Sequence, residues 1–138
     1  MEEDLRSLLL AAPGVAALAG ARVSWGGRPQ GKGFPAVLLH LVSERRGHGL
    51  AGPEALADAR VQVDCWALVY REAKALGRAV SAALDGYAGI VGATRFQGVF
   101  QENGRDTSEV RAADGGDVVE QLFRTSLDFR VRHQQEEP

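Results

Sequence analysis

The clearest pattern in the chain runs from Ala59 to Gly86. From Arg60 to Val69, Val61, Val63, Cys65, Ala67 and Val69 alternate with Arg60, Gln62, Asp64 and Trp66, with Leu68 interrupting the polar side. Side chains alternate faces along a strand, so this predicts a β-strand with one buried face. The period then changes. Ala73, Leu76, Val80, Ala83 and Leu84 fall on one stripe of a helix, and Glu72, Lys74, Arg78, Ser81 and Asp85 cover the other side. Gly86 suits the left-handed position that ends such a helix. A strand running straight into an amphipathic helix implies a sheet with that helix laid across it.

The flanking segments follow the same two periods. Glu2, Glu3 and Asp4 precede LRSLLLAA, whose Leu5, Leu8, Leu9 and Ala12 form an apolar side, and carboxylates favour a helix N-terminus. Pro13-Gly14 stops that helix, Val15–Gly20 adds one more helical turn, and Ala21–Trp25 reads as a short strand. Ala36–Ser43 is continuously apolar, which predicts a central strand covered on both faces. Ala93–Gln101 and Val119–Arg132 alternate. The first places Thr94, Phe96, Gly98 and Phe100 together; the second places Phe123, Thr125, Leu127, Phe129 and Val131 together. Between the strands lie two polar stretches, Glu44–Asp58 and Glu102–Val118, read as long loops that order only on meeting a partner. The predicted class is α+β: a mostly antiparallel sheet, two helices packed on one face, and two long inter-strand loops. Residues 1–132 make a single domain, and HQQEEP (133–138) is a polar, disordered tail.

Composition narrows the function more by exclusion than by indication. A net charge of −2 gives no global reason for nucleic-acid or membrane binding. One cysteine, Cys65, rules out an internal disulfide and a cysteine-rich zinc site, and its place on the apolar face makes it a buried structural residue. The acidic start lacks the basic region of a secretory signal, and Leu8–Ala12 is too short to span a bilayer, so the chain is expected to work without crossing a membrane. The glycine-rich segment Gly26–Pro35 fits no phosphate-binding fingerprint. His40 stands alone in a strand, and the carboxylates after Glu102 lack the regular order of a calcium loop, so neither metal nor cofactor is expected. No G-x-S-x-G, H-E-x-x-H or C-x-x-C motif is present, and nothing in the sequence argues for catalysis. Charge is concentrated in the two polar stretches. Arg45, Arg46 and His48 cluster in the first. Glu102–Glu120 carries six carboxylates against two arginines, a local charge of −4.

Taken together, LRSLLLAAPGVAALAGARVSWG (Leu5–Gly26), PQGKGFPAVLLHLVS (Pro29–Ser43), the strand–helix unit Ala59–Gly86 and FRTSLDFRV (Phe123–Val131) resemble the tail terminator, or tail-completion, proteins of long-tailed phages and gene transfer agents. The likeness runs from about residue 5 to 131 and is carried chiefly by R-V-Q-V-D-x-W followed directly by the helix. It implies a structural virion protein rather than an enzyme, assembled in the host cytoplasm and residing at the head-proximal end of the tail. It further implies a homo-oligomeric ring, typically of six subunits, that caps the tail tube and meets a head-completion protein. DNA would pass through its lumen without sequence-specific binding. Expected partner-contacting residues are Arg45, Arg46 and His48 of the first polar stretch and Arg105, Asp106 and Arg111 of the second. Two alternatives stand beside this reading: a neck or head–tail adaptor subunit, and a small ligand-binding or enzymatic α+β domain.

Overall fold

The structure, a computed structural model, describes residues 1–26, 33–49, 52–112 and 119–135. Residues 27–32, 50–51, 113–118 and 136–138 fall outside the described part. The element order is α1 (Glu2–Ala11), α2 (Pro13–Ala19), β1 (Val23–Trp25), β2 (Ala36–Gly49), β3 (Gly52–Ala67), α3 (Tyr70–Leu84), β4 (Gly89–Val91), β5 (Thr94–Ala112) and β6 (Val119–Gln135). The six strands form one sheet in the order β1-β2-β3-β6-β5-β4. It is mixed: β1 pairs with β2 in parallel, and every other pairing is antiparallel. The class is α+β, as the periodicities predict, with three helices rather than two, because Pro13–Ala19 extends the single expected turn into α2.

The helices cover one face. Leu5 and Leu9 of α1, Val15 and Ala19 of α2, and Leu76, Val80 and Leu84 of α3 pack on Val37, Leu39, Val61, Val63, Cys65, Leu127, Phe129 and Val131 of the sheet. The apolar stripe read on α3 is therefore the docking face, while Arg78 is exposed. Gly77 belongs to that face too: a Cβ there would stand 2.8 Å from Thr125 Cγ2, so glycine lets helix and sheet approach. Polar bonds fix α1 across the sheet. Arg6 Nε donates to Val23 O (2.6 Å), Trp25 Nε1 to Glu2 O (2.8 Å) and Thr94 Oγ1 to Asp4 Oδ2 (2.6 Å).

The polar stretches correct the sequence reading. Glu44–Gly49 continues β2, Gly52–Asp58 begins β3, and Glu102–Ala112 continues β5, so the expected loops are mostly the arms of two long hairpins. Backbone pairing along each hairpin satisfies the peptide groups that face the partner strand, which hydrophobic patterning does not register. The reading of these stretches as loops is overturned for the described residues by this pairing. The arms leave the sheet at opposite ends. Trp66, Arg124 and Thr107 stand in one cross-strand row, with the β5–β6 arm continuing beyond it; Ala57 and His133 stand near the other end, beyond which the β2–β3 arm continues.

Other boundaries shift as well. A bulge between Phe96 and Gly98 exchanges faces, so Val99 is buried and Phe100 is 48% exposed, where simple alternation placed Phe96 and Phe100 together. β2 is covered on both faces only over Ala36–Leu39; Leu41 and Val42 are exposed, and the strand lies next to an edge rather than at the centre. Residues 133–135, assigned by sequence to the tail, belong to β6, and His133 is buried.

Candidate functional site: the open face of the sheet

The face of the sheet opposite the helices carries most of the chain's paired charge. Near the end from which the β5–β6 arm projects, Leu38, Trp66 and Leu122 form a second small apolar cluster, with Phe34 against it. This explains why Trp66, on the polar side of the β3 alternation, is only 2% exposed. The Arg124 guanidinium lies over the Trp66 ring at 5.1 Å. Arg111 lies over Phe34 at 4.8 Å and pairs with Glu120 at 2.8 Å.

Asp64 is the centre of the network. Its side chain is buried, and it accepts hydrogen bonds from Ser126 Oγ (2.6 Å) and Gln62 Nε2 (2.9 Å). His40 Nε2 is 3.2 Å away and Arg124 Nη1 3.8 Å. Four side chains from three strands thus converge on one carboxylate, which answers the requirement that a buried charge be matched. The network continues through Arg105, whose guanidinium donates to Asp128 Oδ2 (2.7 Å) and Gln62 Oε1 (3.1 Å). Farther along, Arg60 pairs with Glu102 at 2.9 Å and Arg130 with Asp58. The hydrogen bond from Arg130, reinforced by nearby Arg132 and Arg60, holds the Asp58 carboxyl below the usual carboxylate range despite partial burial. Val42, Arg60, Gln62, Glu102, Asn103, Arg105 and Asp128 border a shallow groove of about 450 Å³ on this face.

The chemistry available here is cohesion. Serine, histidine and aspartate do meet, but Asp64 lies between Ser126 and His40. The Ser126 hydroxyl donates to the carboxylate, and among the described residues no imidazole is placed to take its proton, which is the arrangement nucleophilic activation needs. No grouping of three or more His, Cys, Asp or Glu side chains suited to a metal ion occurs among the described residues. No described helix is long and apolar enough to cross a membrane. Burial pushes the Cys65 thiol upward, with the neighbouring Asp64 carboxylate adding to the effect, so it is held as an inert thiol.

The six residues singled out by sequence do not form one cluster. Arg45 and Arg46 are exposed on β2 opposite Asp58 and Ala57; His48 lies opposite Pro53, its side chain outside the described part. Arg105 is built into the open-face network and Arg111 into the β5–β6 arm. Asp106 is on the helix side, where it accepts from Tyr70 Oη (2.9 Å), Lys74 Nζ (3.2 Å) and Thr125 Oγ1 (2.9 Å). Burial raises its pKa, but those hydrogen bonds outweigh it and hold the carboxyl low. Sequence reasoning missed Asp64 and Ser126. The signal was a polar residue in each strand at facing positions, visible only once the register pairs them.

Comparison with known proteins supplies the family. The family model described as Tail completion protein gp17 matches residues 3–134. No curated protein sequence matches the chain. Among solved structures, the fold is similar to a chain from the virion of a native gene transfer agent particle, with 24% sequence identity and a TM-score of 0.62, covering 97% of this chain and 94% of that one. The chain belongs to the family of Tail completion protein gp17, and is a structural protein of a virion tail rather than an enzyme.

Proposed function

We infer that the protein acts as a tail terminator: a closed ring, of six subunits, that caps the tail tube and presents its other side to a head-completion protein, with DNA passing through the lumen unread. The observation that carries this reading is the family match over residues 3–134. The open face supports it physically, because Arg60, Arg105 and Arg130 are already matched by carboxylates, which suits a surface that lines or contacts rather than one that grips nucleic acid. A ring of identical chains is built from head-to-tail contacts between two different patches, closing when the rotation divides a circle. The exposed Arg45 and Arg46, the arm that carries Arg111, and Asp106 and Arg105 beside it are the contacts assigned to neighbours and to the adjoining rings.

The test is deletion and complementation in particles that carry the protein. Without it, tails and filled heads are expected to accumulate unjoined, with the wild-type chain restoring whole particles. Whole, joined particles in its absence would contradict the assignment.

A further inference from the structure

The sheet has two unfinished edges. β1 pairs with β2 only over Val37–Leu39, and Gly26 N–H donates to Leu39 O at the limit of that pairing. From His40 to Gly49 no described strand lies against the outer edge of β2. At the opposite side β4 pairs with β5 only over Thr94–Phe96. Contacts with Gly86, Tyr87 and the Asp85 carboxylate serve the β5 backbone as far as Gln101. From Asn103 to Ala112 the outer edge of β5 has no strand partner among the described residues.

We propose that these two edges are each other's partner in adjacent copies: β5 of one subunit adds to β2 of the next, making one sheet continuous around the assembly. This rests on the ring reading above and specifies its interface. The direction is right. β2, β3, β6 and β5 alternate in direction, so β5 of a second copy placed beside β2 runs antiparallel to it, as in the rest of the sheet. The lengths match, each open edge being about ten residues. Like charge does not oppose the pairing: His40–Gly49 carries two arginines and one glutamate, net +1, and Asn103–Ala112 carries two carboxylates and two arginines, net zero. Bulges at Leu41/Ser43 and Gln101/Asn103 lie near the start of each open edge. Two long unpaired edges on one domain are otherwise an aggregation hazard, and mutual closure removes both.

The geometry also requires an offset. His40, Gln62, Asp128 and Asn103 form one row across the sheet; the open edge of β2 lies to one side of that row and the open edge of β5 to the other. Facing them brings Glu109 of one copy beside Ser43 of the next. Ser43 is level with Arg130 and Glu109 with Leu122, so each copy steps eight residues along the strands. That is about 26 Å at roughly 3.3 Å per residue. A constant step is what closing a sheet with tilted strands demands.

Disulfide trapping in assembled particles tests this. Ser43→Cys is combined with Glu109→Cys, or, for a slip of two residues either way, with Thr107→Cys or Arg111→Cys. These positions keep both thiols on the open face, and native Cys65 is buried and silent. Directly opposed strand residues lie within disulfide reach. One pair is expected to give a ladder of covalent multimers that single-cysteine controls do not give. A ring at the tail end with no ladder from any pair overturns edge pairing and leaves the ring standing; particles without any ring of this chain overturn both. If the double variants fail to assemble, amide exchange of the wild-type chain decides. Amides of 40–46 and 103–111 are expected to slow about tenfold or more between free chain and particle, and equal rates overturn the proposal.

Discussion

Cys65 and Asp64 are neighbours in sequence, yet β3 delivers them to opposite faces, one to an apolar core and one to a polar network. For Cys65→Ala the expected loss is on the order of 1 kcal/mol from missing packing. Native thiol labelling is expected to be slow, and fast labelling would contradict burial. Asp64→Ala leaves Ser126 and Gln62 without their acceptor, and a loss of about 3 kcal/mol or more is expected by denaturant unfolding, as for breaking a buried charged pair from one side. His133 supplies the pH dependence. Burial lowers its pKa from 6.5, partly offset by Glu44, whose Oε1 lies 3.2 Å away. The unfolded chain therefore takes up the proton first, so stability is full above about pH 6.5 and falls as the pH drops below it. His133→Gln is expected to flatten that fall in urea midpoints measured between pH 7 and 5; an unchanged slope would remove His133 as its source.

At the scale of elements, sequence patterning succeeded where one face meets a core and failed where neither does. α3 and the inner parts of β3 and β6 announce themselves through periods of 3.6 and 2, because their apolar positions face each other. Glu102–Ala112 has polar residues on both sides, so no alternation marks it as a strand; only pairing with β6 does. The candidate site was hidden for a related reason, since Asp64, Ser126 and His40 are unremarkable apart and become a network only through register. The docking of α3 can be checked directly. Leu76→Ala is expected to cost roughly 2–5 kcal/mol and Arg78→Ala no more than about 0.5 kcal/mol. Gly77→Ala would gain about 1 kcal/mol of helix propensity alone, but its Cβ meets Thr125 in a filled interface, and net destabilisation is expected. Stabilisation by that substitution would show the helix standing farther from the sheet.

The molecule as a whole is a sheet with one face sheltered by helices, one face closed by its own ion pairs, and two arms projecting from opposite ends. Exposed charge on the arms sets register and specificity more than bulk affinity. Arg45→Ala with Arg46→Ala is therefore expected to leave folding unchanged and to weaken tail completion, most visibly as salt rises and screens the remaining attraction. Wild-type assembly by that variant across salt concentrations would remove the pair from the interface.

The most direct measurement is a reconstruction of the head-proximal end of the tail in assembled particles, made without imposed symmetry. The expected result is a single closed ring of six copies of this chain between the tail tube and the head-completion protein. A copy number incompatible with a closed ring, or absence of the chain from that end of the tail, would contradict the account.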